Sequence, residues 1–192
     1  MTAGMRVAGT GRLADGSTVI WTVADGRKGR RWREVVAEGD AVRHSLLLET
    51  DRERRFSHLE LARADGLWTY HLEGDGTLHG NHVARSGEAD LQVHHTVGWP
   101  FGLDDALIVD GSPISLAAVA WQRSQTVRVG EPAALGVVAI GLDTVARVEA
   151  AAAYVERISE TRWRVGEGTP IEIDHAGLPV LDGTQTRPLE LD

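Results

Sequence analysis

A chain of 192 residues, 42% of them apolar, carries enough apolar material for one sizeable core. It has no cysteine, which excludes disulfides, thiolate metal centres, iron–sulfur clusters and cysteine nucleophiles. With 20 Lys+Arg against 28 Asp+Glu, the net charge of −8 is the wrong sign for broad binding to a nucleic-acid backbone.

The N-terminus, MTAGMRVAGTGRL, has no apolar run of signal-peptide length. No later segment reaches the roughly 18 uninterrupted apolar residues of a membrane span. The expectation is a cytoplasmic protein without integral membrane contact. One basic stretch, RKGRRWR at 27–33, reads as a solvated hairpin tip and edge strand before it reads as an anion-binding patch.

Asp-Gly recurs at 15–16, 25–26, 65–66, 75–76, 110–111 and 182–183. Between alternating apolar runs this pair is a strong hairpin signal, because type I′ turns need positive φ at both central residues. The flanks agree. STVIWTVA (17–24), RRWREVVAEG (30–39), RHSLLLET (43–50), RFSHLELAR (55–63) and LWTYHLEG (67–74) are expected strands joined by tight turns. Strands do not alternate with helices along the chain, which argues against a doubly wound α/β fold.

Next comes LQVHHTVGWPFGL (91–103). On a strand, Leu91, Val93, His95, Val97 and Trp99 share one face, and Gln92, His94 and Thr96 the other. Adjacent histidines then point opposite ways and cannot chelate one ion together. Pro100 ends the ladder, with Trp99 and Phe101 beside it. His79 and His82 in HGNH could meet in a turn, but a surface loop explains them more simply. No HExxH, GxSxG, GxGxxG or phosphate-loop pattern occurs, so no metal and no cofactor is expected. Six tryptophans stand on separate segments, at 21, 32, 68, 99, 121 and 163. Trp and His each join an apolar body to a hydrogen-bonding edge, which suits the wall of a pocket.

The four alanines in TVARVEAAAAYVERISE (144–160) and the spacing of Val145, Val148, Ala152, Val155 and Ile158 point to a helix. ETRWRV (160–165) alternates as a strand does. TPIEIDHAGLPVLDG (169–183) reads as strand, turn and short strand, and RPLELD (187–192) as a last edge.

ALIVDGSPISLAAVAW (106–121) resembles the Asp-x-x-x-Ser/Thr-Pro-x-Thr segment of a glycolipid-binding family whose fold is a spiral β-roll. The resemblance places Asp110, Ser112 with Pro113, and Ser115 on that motif. GVVAIGL (136–142), VARVEAAAAYVER (145–157) and RWRV (162–165) follow in the family's strand order. IEIDHAGLPVLDG (171–183) is similar to its closing hairpin, with Asp174, Gly177 and Leu178 on the matching positions. The family's Thr-Asn and Pro-x-Arg-Arg are replaced here by Ile114-Ser115 and Ala117–Ala120, and its closing Tyr-Pro-Gly is absent. The resemblance implies that 144–160 is a strand rather than a helix.

The combined expectation is one all-β domain over 1–192, an antiparallel spiral roll or curled sheet around a central apolar cavity, with little helix. Its function would be to bind an apolar or amphipathic small molecule, lipid- or glycolipid-like, through His95, Trp99, Phe101, Asp110, Ser112, Trp121 and Trp163. The alternative is a cofactor-free cyclase, isomerase or hydrolase using a His–carboxylate pair in the same cavity. A third reading is a fully packed module, with Trp32 and the Arg-rich edge serving as a protein interface or homodimer contact.

Overall fold

The computed structural model describes residues 4–85, 91–102, 105–142 and 148–188, with the backbone alone at 85, 91–99, 148–151 and 188. The protein is nearly all β-structure, almost all of it antiparallel, with a curled sheet and one helix among the described residues. It divides into two compact units, Met1–Phe101 with Asp182–Asp192, and Gly102–Leu181.

The first unit is a nine-stranded sheet. Strands β1 (Arg6–Arg12), β2 (Thr18–Gly26), β3 (Gly29–Glu38), β4 (Ala41–Thr50), β5 (Phe56–Arg63), β6 (Gly66–Leu72), β7 (Thr77–Arg85) and β8 (Leu91–Pro100) pair with their chain neighbours as antiparallel hairpins. Strand β15 (Asp182–Pro188) returns to pair with β1. One face is apolar because alternation along each strand is nearly strict. Val19, Trp21 and Val23 of β2 are buried, as are Trp32 and Val36 of β3, Leu46 and Leu48 of β4, and Leu59 and Leu61 of β5.

The hairpins differ from the expected type I′ turns. Arg54 is the one non-glycine at positive φ among the described residues, so no aspartate of an Asp-Gly pair adopts it. The aspartates act through their side chains instead. Asp15 Oδ1 accepts from the Ser17 N–H at 2.9 Å, and Asp75 Oδ1 from the Thr77 N–H at 2.9 Å.

The expected alternation through 91–99 is also interrupted. Thr96 pairs with Gly80 and Trp99 with Leu78, so three steps on β8 span two on β7. That one-residue bulge breaks the period of two between His95 and Trp99.

The second unit holds a six-stranded sheet in the order β14-β13-β12-β11-β10-β9. Its members are β9 (Ala106–Val109), β10 (Pro132–Ile140), β11 (Val148–Arg157), β12 (Arg162–Val165), β13 (Ile171–Ile173) and β14 (Pro179–Val180). Strand β9 runs parallel to β10 and is joined to it through helix α1 (Pro113–Arg123). This strand–helix–strand unit was not foreseen. Its start is nonetheless encoded: Ser112 caps the helix, proline stands in the first turn, and leucine and alanines follow. Ala106, Ile108, Ala117, Ala120, Leu135 and Trp163 share one core.

The alanine run is strand, as the resemblance implied. Strand β11 is hydrogen-bonded to β10 along its length and to β12 over Val155–Arg157, and the pairing of Ala150–Ala153 with β10 overrides the helical preference of alanine. The part of the expected segment at 144–147 lies outside the described residues. So do the last residues of the expected C-terminal edge, 189–192. Among the described residues no helix is long and apolar enough to cross a membrane.

Candidate functional site

Helix α1 carries Trp121 near its end, and β12 carries Trp163 at its centre. The two indoles line one cleft of about 80 Å³, with Arg157, Glu160, Asp174 and Gly177 among its other walls. Each element arrives for a local reason. Arg157 ends β11, and its guanidinium carbon lies 5.4 Å from the Trp163 ring centre. Arg157 Nη2 donates to Glu160 Oε2 at 2.5 Å, tying the turn to the strand it leaves. Asp174 Oδ1 accepts from the N–H groups of Ala176 and Leu178 at 2.9 and 2.8 Å, which shapes the β13–β14 turn. Gly177 in that turn has φ +81°, and a Cβ there would stand 2.5 Å from Trp121 Cδ1. The turn is therefore pressed against the indole.

Trp163 is 1% exposed. Its Nε1 and the Nε of Arg157 are buried donors without an acceptor among the described residues. Leaving such a donor unsatisfied costs about 1–3 kcal/mol. The cleft thus combines two aromatic walls, one cation and two carboxylates.

Of the residues singled out from the sequence, the structure brings Trp121 and Trp163 together. Phe101, Asp110 and Ser112 stand elsewhere. His95 and Trp99 lie on β8, whose side chains are outside the described part. Phe101 is buried in the first unit against Phe56, with ring centres 5.6 Å apart. Asp110 is exposed at the end of β9, where its N–H donates to the Ile140 carbonyl. Ser112 caps α1, its Oγ accepting from the Ser115 N–H at 3.1 Å. Ser115 Oγ in turn donates to the Val109 carbonyl and accepts from the Val109 N–H, both at 3.1 Å. The Ser112–Ser115 part of the motif is accounted for by the joint between strand and helix. His79 and His82 both lie on β7 rather than in a turn; an odd spacing on a strand sends them to opposite faces, and His82 stacks on Trp68 at 4.2 Å.

Sequence reasoning missed a buried pair in the first unit. His44 Nε2 and Glu34 Oε1 are 3.0 Å apart on neighbouring strands, with side chains 5% and 0% exposed. The signal was present: Glu34 is in phase with the apolar Trp32 and Val36, and His44 with Leu46 and Leu48. A polar residue at an apolar position of a strand asks for a partner. Among the described residues no three His, Asp or Glu side chains are gathered as a ready metal centre.

A nearly all-β protein with a tryptophan-walled cleft is what fold and geometry define. No known protein family matches the chain, and no curated protein does. Among solved structures, the crystal structure of a DUF1089 family protein from Pseudomonas aeruginosa is similar, at 12% identity. The match covers 93% of this chain and 88% of that one, with a TM-score of 0.45.

Proposed function

We propose that the protein binds an amphipathic small molecule, lipid- or glycolipid-like, and that the Trp121–Trp163 cleft receives one end of it. The observation that carries this reading is the meeting of two indoles with a guanidinium and two carboxylates in one concavity. Pockets that enclose a whole drug-sized ligand measure roughly 300–1,000 Å³. At about 80 Å³ the cleft suits a head group or a short apolar end, with the remainder of the molecule outside it. Apolar contact contributes about 25 cal/mol per Å² buried, before ordering costs, and the polar groups set orientation. The test is titration of tryptophan fluorescence with a panel of fatty acids, glycolipids and polyketides. Saturable quenching in the wild type, lost in Trp121→Phe or Trp163→Phe, supports the reading. A flat response across the panel sinks it.

A second reading is favoured by the Glu34–His44 pair. A histidine held against a carboxylate among apolar side chains is the minimum for general acid–base chemistry. It would make the protein a cofactor-free cyclase, isomerase or hydrolase. That reading requires a turnover that disappears in a folded His44→Gln variant; turnover undiminished in that variant removes His44 from the chemistry.

A further inference from the structure

The outer face of the nine-stranded sheet carries a row of histidines. His58 on β5 stands opposite His71 on β6, which stands opposite His79 on β7. All three alternate with the buried residues Leu59, Tyr70 and Leu78, so they lie on the face away from the core. Residues directly opposite on antiparallel strands hold their Cβ atoms about 4.5–5.5 Å apart. The His71 and His79 rings are stacked, with centres 5.9 Å apart and planes 23° from parallel. Carboxylates flank them. Glu73 Oε1 lies 2.8 Å from His71 Nε2. Asp75 stands in the turn joining the two strands, its carboxyl held below the ordinary range first by the Thr77 N–H and in smaller part by His79.

We infer that His71 and His79 form a binding site for a divalent transition-metal ion of the zinc, copper or nickel class, completed by Glu73 or Asp75 and water. Imidazole nitrogens bind zinc at about 2.0–2.1 Å, so two rings that share an ion hold their centres roughly 5–6 Å apart, each with a ring-plane nitrogen aimed at the ion. The 5.9 Å spacing is within that reach, and turning the two half-buried rings out of their stack about the Cβ–Cγ bonds aims one nitrogen of each at a shared point. Glu73, already at His71, either ligates the ion or orients the ring that does. Softness points the same way: imidazole with carboxylate suits zinc, copper and nickel, whereas magnesium and calcium take oxygen ligands alone. The strand register fixes the two histidines opposite each other before any ion arrives, so the backbone need not reorganise. His58 belongs to the row, but its ring nitrogen is held by Glu60 Oε1 at 3.0 Å on the side away from the hairpin turn.

The experiment is isothermal titration of the full chain with zinc chloride, with circular dichroism to verify that each variant keeps the wild-type fold. One equivalent of zinc should bind the wild type. His71→Ala and His79→Ala should each weaken binding by at least about ten-fold, the scale of losing a supporting group at a metal site. His58→Ala should leave it within experimental error of the wild type. No saturable heat with the wild type, or either key variant binding as the wild type does, overturns the assignment. A loss in His58→Ala equal to that in His79→Ala also overturns it, because the row rather than the hairpin pair would then hold the ion.

Discussion

Trp21 stands directly opposite Glu34 in the β2–β3 ladder, and Glu34 pairs by hydrogen bond with His44, two residues along β4 from its register partner Leu46. The pair is buried in a sheet whose other buried side chains are mostly Trp, Leu and Val, with Arg30 in phase on the same strand as Glu34. Removing one member of a buried charged or hydrogen-bonded pair strands the other and costs about 3–5 kcal/mol, whereas replacing both with apolar residues is often near neutral. Glu34→Leu and His44→Leu alone should therefore each lower stability by that order. The double variant should lose much less than the sum. Urea denaturation of the four proteins forms the thermodynamic cycle, and additive losses would show that the two groups do not act as a pair.

Ser112 and Ser115 make a second prediction. Ser112→Ala removes the cap of α1 and should cost about 1 kcal/mol. Ser115→Ala should cost more, about 1–3 kcal/mol, because it strips the buried Val109 N–H and carbonyl of their side-chain partner. Both read out as lower urea midpoints with an unchanged slope. A Ser115→Ala midpoint equal to that of the wild type would mean that Ser115 does no more than fill space.

How much of this was legible depends on the range of the cause. The strands of the first unit were readable because Val19, Trp21 and Val23 alternate with exposed neighbours, and alternation is a local property of a half-buried strand. The alanines of β11 were not readable from pattern, since what decides them is pairing with β10, which leaves no mark in propensity. Helix α1 was legible in its cap and proline but was overshadowed by the surrounding strands. The shift between β7 and β8 has no local signature, and it changes which residues lie opposite β7. Trp121 and Trp163 were named as pocket residues by chemistry alone; that they meet, while Phe101 packs on Phe56 elsewhere, is a fact of topology.

Gly177 tests the cleft directly. Gly177→Ala places a Cβ at positive φ and against the Trp121 ring, and should cost about 1–3 kcal/mol while shifting tryptophan emission. Gly16 is the control: its φ is +86°, yet nothing lies within 4 Å of an added Cβ. Gly16→Ala carries the backbone strain without the clash and should cost less, with emission unchanged. Matching emission spectra for Gly177→Ala and the wild type would mean that the turn does not hold Trp121 in place.

Tyr70 makes stability fall at alkaline pH. Burial pushes its hydroxyl up to about 12, because the sheet face solvates a phenolate poorly. The unfolded chain ionises at about 10. Below pH 10 both states keep the proton, and the neutral form's preference for the core is fully present. Between about 10 and 12 the unfolded state releases its proton and the folded state does not, so stability falls by about 1.4 kcal/mol per pH unit from this group. Above 12 both are ionised and the contribution is gone. Tyr154, the second of the two tyrosines, is also raised, chiefly by donating its hydroxyl proton in a hydrogen bond to Glu167. Absorbance titration at alkaline pH should thus show no phenolate at the ordinary value while the protein is folded. Urea midpoints should fall more steeply from pH 10 to 12 in the wild type than in Tyr70→Phe, and parallel slopes would place the Tyr70 hydroxyl in water.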